Sequence, residues 1–152
     1  MKIEFYVVKD EDAIFVLHSL TPEVSQAFEG KITPVFATIK SPVTAGLLMD
    51  AERLAWRIDP MQGYIQDPVL LPAAKAQVFV TEWTLFKVGI DPNTGAEFTA
   101  QVQPTMQGYQ ELHPVVATAF SQRLEAILNP SPFATKSWID YANRSTTGQG
   151  TP

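Results

Sequence analysis

The sequence predicts an α+β fold, and three observations carry that prediction. Two stretches, about 2–18 and 84–103, alternate apolar and polar residues on either side of a polar turn, as antiparallel β-hairpins do. Three others, about 42–58, 73–82 and 114–128, read as the main helices. Twelve prolines spread through 152 residues require short elements and many connections. A chain of this length fits one domain, expected over 1–142, with residues 143–152 as a flexible tail that has little to bury.

The first hairpin sets Ile3, Phe5 and Val7 against Lys2, Glu4 and Tyr6, turns at Asp10-Glu11-Asp12, and returns through Ala13 to Leu17. Phe15 and Leu17 leave the returning strand apolar on both faces, so it is expected to be covered on both. Leu20-Thr21-Pro22-Glu23 then begins a short helix, with Thr21 as N-cap and Pro22 where a missing N–H costs nothing. Gly30 ends it, and Val35 to Ile39 suits a short strand or an extended connector.

Ser41-Pro42 repeats the cap-and-proline start. Leu47, Leu48, Ala51, Leu54, Ala55 and Ile58 follow at helical spacing up to Asp59-Pro60. Residues 61–72 read as an ordered loop that packs Tyr64, Ile65 and Leu70 on the body. Ala73-Ala74-Lys75-Ala76 favours helix, whereas Val78-Phe79-Val80-Thr81 favours strand. A strand running on into Trp83 would make an unusually long ribbon, so a helix over 73–82 is preferred.

In the second hairpin, Asp91-Pro92-Asn93-Thr94-Gly95 gathers residues that each favour a turn. Counting outward from a five-residue loop pairs Ile90 with Ala96, Val88 with Phe98, Phe86 with Ala100 and Thr84 with Val102, apolar except at Thr84. The other face carries Leu85, Lys87 and Gly89 against Glu97, Thr99 and Gln101. Leu85, Lys87, Glu97, Thr99 and Gln101 form a candidate interface, with Trp138, in a last turn expected over 137–141, as a further anchor. Beyond Pro104 and Gly108, His113-Pro114 opens a helix striped by Val116, Phe120, Leu124, Ile127 and Leu128.

Composition excludes several functions. The net charge is −5 and the basic residues are scattered, which disfavours nucleic acid as a partner. The absence of cysteine removes disulfides, thiolate metal sites and thiol nucleophiles. No stretch approaches the ~20 apolar residues that cross a bilayer, and the start of the chain alternates instead of forming a signal-peptide core. A cytosolic protein with no membrane partner is therefore expected.

Asp91, Asn93, Gly95 and Glu97 share the alternation of a calcium loop, but Pro92 intervenes, the glycine is one place early and position twelve is Val102. Plain turn chemistry explains them better. Asp10-Glu11-Asp12 reads as a solvated tip, His18 as a strand end and His113 as part of a helix entry. Glu111 and His113 lack a third member for acid–base work, and no GxSxG, GxxxxGK[ST] or GxGxxG occurs. No catalytic, cofactor-binding or metal residue is assigned, and the chain is read as a non-enzyme. An exposed patch drawn from its many aromatic residues would indicate a protein partner.

Two segments resemble the tail assembly chaperones of long-tailed bacteriophages. One is the hairpin and Leu20-Thr21-Pro22-Glu23 helix entry within Ile3–Glu23. The other is Glu82-Trp83, Val88-Gly89-Ile90-Asp91 and Gly95 to Phe98, with the helix over 114–127 behind it. Together they cover roughly half the chain. The resemblance implies a non-enzymatic assembly protein in the host cytoplasm that keeps a tape-measure protein soluble, recruits tail-tube subunits and carries no catalytic residue. A neighbouring reading is a virion structural protein: a capsid cement, neck or tail-completion component that self-associates or contacts capsid subunits. A third is a small-molecule-binding protein or enzyme with a pocket between sheet and helices.

Overall fold

The computed structural model describes residues 1–129, and among them the chain is α+β, with five helices and eight antiparallel strands in small sheets. Backbone contacts divide the chain into two units, Met1–Ser121 and Gln122–Pro152. The tail over 143–152, the turn over 137–141 and Trp138 lie outside the described residues.

The first hairpin forms where the alternation places it. Strand β1 (Lys2–Asp10) pairs with β2 (Ala13–Leu17) across Glu11-Asp12, where Glu11 adopts φ 55° to close the two-residue turn. Helix α1 (Pro22–Ala27) starts as read, with Thr21 Oγ1 accepting the Val24 N–H at 3.2 Å. Val35 to Ile39 belongs to a longer strand, β3 (Ile32–Ile39), which pairs with the other side of β1. With β6 (Val80–Trp83) beside β3, the sheet order is β2-β1-β3-β6. One face buries Ile3, Phe5 and Val7 with Val35, Ala37, Ile39, Val80 and Trp83. On the opposite face Val8 is buried too, level with Phe15 and Ile32, and the Phe28 ring closes over Phe15 edge-on at 5.3 Å. Residues 14–17 are accordingly half-buried.

The helix expected over 42–58 is shorter at both ends. Helix α2 spans Ala45–Leu54 because Thr44, rather than Ser41, supplies the cap: its Oγ1 accepts the Leu47 N–H at 3.2 Å. Beyond Ala55 the chain extends into β4 (Trp56–Asp59), which pairs with β5 (Gly63–Gln66). Asp59 drives the change, since its Oδ1 takes the N–H groups of Met61 and Gln62 at 2.8 and 3.0 Å, and Gly63 turns at φ +78°. The expected loop over 61–72 is therefore in part a ribbon. Tyr64 lies outside instead of packing on the body, at 71% exposure.

Residues 73–83 satisfy both of their local preferences in turn. Helix α3 (Leu71–Phe79) buries Ala73, Ala74, Ala76 and Phe79 and packs against α2, after which β6 begins at Val80. The preferred helix to residue 82 is thus three residues too long. The ribbon stays short because Thr84 interrupts it: its N–H donates to the Phe36 carbonyl, and its Oγ1 accepts the Phe36 N–H, both at 2.9 Å.

The second hairpin is present as β7 (Phe86–Ile90) and β8 (Glu97–Gln101), but its register differs by one residue from the expected pairing. Val88 faces Thr99 and Gly89 faces Phe98. The Asp91 N–H donates to the Ala96 carbonyl at 2.8 Å, and Gly95, at φ +71°, donates to the Asp91 carbonyl at 2.8 Å. The loop therefore closes on four residues rather than five, and that odd residue moves β8 to the other parity. Helix α4 (Met106–Glu111) follows Thr105 as N-cap, and α5 (Pro114–Leu128) spans the expected residues.

In the first unit, Val116, Ala119 and Phe120 of α5 are buried, and Phe120 meets Trp83 edge-on at 5.4 Å. In the second unit, Leu124 and Leu128 are buried, and Asn129 Nδ2 donates to Glu125 Oε2 at 2.8 Å.

Candidate functional site

The shifted register divides the candidate interface of the second hairpin. Lys87 and Gly89 share a face with Phe98 and Ala100, whereas Glu97, Thr99 and Gln101 share one with Phe86, Val88 and Ile90. Leu85 is fully buried: its carbonyl accepts the Val102 N–H at 3.2 Å, so it belongs to the core and not to an outward surface. Lys87 Nζ lies 3.4 Å from Glu111 Oε2, and Glu97 Oε1 lies 2.7 Å from Lys9 Nζ. Gln101 Nε2 donates to the Trp83 carbonyl at 2.8 Å, while Thr99 is exposed. Three of these side chains are thus engaged in holding the hairpin to the rest of its unit.

The other polar positions are occupied similarly. Asp91 Oδ1 accepts the Asn93 N–H at 2.8 Å, and Asp10 Oδ1 pairs with Lys31 Nζ at 2.6 Å. His113 Nδ1 accepts the Val115 N–H at 3.3 Å at the entry to α5.

The surface that sequence reasoning missed is the β4–β5 ribbon. In its register Trp56, Ile58 and Tyr64 lie on one face, with Ile58 directly opposite Tyr64 and the rings of Trp56 and Tyr64 6.5 Å apart. They are 50%, 68% and 71% exposed, and Met61 at the turn is 93% exposed. Met49, Leu54 and Val69, on the neighbouring segments, are exposed as well. A two-stranded ribbon is marginal alone. Here the ladder runs one rung further, the Asp67 N–H donating to the Ala55 carbonyl at 2.8 Å, and on the reverse face Arg57 Nε donates across the ribbon to Asp67 Oδ2 at 3.1 Å. The result is an apolar strip turned to solvent. Asp59-Pro60 followed by Gly63, with Trp56 and Ile58 alternating before it, is the sequence signal for this ribbon.

A concavity of about 380 Å³ lies over the outer face of β1 and β3, lined by Glu4, Tyr6, Pro34, Phe36 and Thr84 among others. Lys2 Nζ sits 4.3 Å from the centre of the Phe36 ring and 3.4 Å from Glu4 Oε1, so the charges at this edge face each other.

Among the described residues no helix is long and apolar enough to cross a membrane, and no group of three or more His, Cys, Asp and Glu residues is arranged to hold a metal. No protein family matches the sequence, and no curated protein or solved structure matches it either.

Proposed function

We propose that this chain is a non-enzymatic assembly protein that works by protein–protein contact, most like a bacteriophage tail assembly chaperone. The observation that carries the reading is the exposed ribbon face of Trp56, Ile58 and Tyr64 with Met61 beside it. Trp and Tyr are the residues that dominate protein interfaces when buried, and an apolar side chain gains roughly 1.5–3 kcal/mol on leaving water. An exposed apolar strip suits the stripe of an amphipathic helix, whose anchors recur at three- and four-residue spacing. A tape-measure protein presents long stretches of such helix, and a chaperone would cover them in the host cytoplasm until tail-tube subunits arrive. The resemblance of residues 3–23 and 82–98 to that family supports the same assignment.

Co-expression with a bacteriophage tape-measure protein and its tail-tube subunit tests the reading. The expected result is a tape-measure protein that stays soluble only when this chain is present, with the chain absent from finished particles. Retention of the chain in purified particles would assign it instead to the virion, as a cement, neck or tail-completion component. A chain that binds none of these proteins would overturn both assignments.

A further inference from the structure

The four-stranded sheet has two unlike edges. The β6 edge is four residues long and is interrupted at Thr84. At the other edge β2 presents Ala13-Ile14-Phe15-Val16-Leu17, five uncharged residues with no proline and an unbroken register to β1. Edge strands are ordinarily guarded by a charge, a proline or a bulge, and this one has none within it.

Its outward backbone groups can be identified. The Lys9 N–H donates to the Lys31 carbonyl at 3.1 Å, toward β3, so the Lys9–Ile14 pair is a non-hydrogen-bonded pair of the β1–β2 ladder. By alternation the same holds for Val7–Val16. The N–H and C=O groups of Ile14 and Val16 therefore point away from the sheet, and among the described residues no backbone group takes them up.

We infer that this edge pairs with β2 of a second copy of the chain, antiparallel about Phe15, so that the sheet continues across a two-fold axis. In that register Ile14 and Val16 of each copy exchange backbone hydrogen bonds with the partner's Val16 and Ile14. Ala13 stands opposite the partner's Leu17, and the contact is self-complementary, as a closed dimer requires. Charge favours this arrangement over a parallel one. Antiparallel pairing sets Asp12 opposite the partner's His18 and separates the two acidic tips by six residues, about 20 Å at a strand's rise. That is beyond the Debye length of about 8 Å at physiological salt, so two chains of net charge −5 meet without opposing their acidic turns. The inference stands apart from the ribbon face, which lies on a different sheet.

Two variants test it, read by light scattering and non-reducing electrophoresis. Val16→Pro removes only an outward N–H, the position where an edge strand tolerates proline, so the hairpin should keep its circular dichroism while the dimer is lost. The chain has no cysteine, which makes crosslinking unambiguous. Ala13→Cys with Leu17→Cys in one chain should oxidise to a covalent dimer, because non-hydrogen-bonded partners approach to about 4.5 Å between Cα atoms. Ala13→Cys alone should not. A wild-type chain that is monomeric, a dimer that survives Val16→Pro, or equal crosslinking by Ala13→Cys alone would each overturn the inference. If Val16→Pro fails to fold, the cysteine pair decides. A monomer that takes up a strand from a different protein also counts against it.

Discussion

The ring of Phe98 lies across the backbone of Gly89, so close that a Cβ at position 89 would stand 2.5 Å from Phe98 Cζ. Glycine within a strand is ordinarily a weakness, lacking a side chain to pack and costing backbone entropy. Here the facing ring covers the exposed peptide, an arrangement known to offset an edge glycine. Gly89→Ala should displace Phe98, which is 45% exposed and can swing, at a cost of about 1 kcal/mol. In a Phe98→Ala background the same substitution should be neutral or stabilising. Urea denaturation of the four proteins in the cycle checks the sign reversal.

Gly95 should be intolerant for a different reason. No atom lies within 4 Å of where its Cβ would stand, so only its φ of +71° opposes substitution. Gly95→Val should cost roughly 1–2 kcal/mol and Gly95→Asn clearly less, because Asn visits the left-handed region more readily. Thermal unfolding midpoints should fall in the order glycine, asparagine, valine.

These two glycines show what the sequence disclosed and what it did not. The turn was legible because Asp91, Asn93 and Gly95 act locally: a side-chain oxygen accepting an N–H two residues on, and a residue free to take positive φ. The same local chemistry marked Thr21 and the entry to α5. The register was not legible, because a loop closing on four residues and one closing on five use the same sequence, and a single residue reverses every side chain of β8. Phe98 was misplaced for that reason, whereas Leu85 precedes β7 and is buried in the connection from β6, where strand alternation does not apply. The stripe of α2 also misled: Ile58 continues the helical spacing of Leu47, Ala51 and Leu54, yet it equally alternates with Trp56 on a strand. The Asp59 turn decides between the two. The candidate surface was hidden with that ribbon.

Trp83 is a further test of the core. It is 2% exposed, donates from Nε1 to the Val102 carbonyl at 2.7 Å and packs edge-on against Phe120. Trp83→Phe keeps an aromatic ring but removes the donor, and a buried polar group deprived of its partner costs about 1–3 kcal/mol. The expected result is a folded protein with a lower denaturation midpoint. No loss would place the bond outside the stability of the fold.

The central claim, that the ribbon face is where a partner binds, rests on Trp56 and Tyr64. Both are exposed, but their rings meet across the ribbon, so Trp56→Ser with Tyr64→Ser should cost the fold only about 0.5–1.5 kcal/mol, the worth of an aromatic pair. The most direct measurement is the soluble fraction of the tape-measure protein co-expressed with the wild-type chain and with this double variant. The account predicts that the wild type keeps it in solution and that the double variant, still folded by circular dichroism at the temperature of co-expression, does not. Equal solubility with both chains would contradict it.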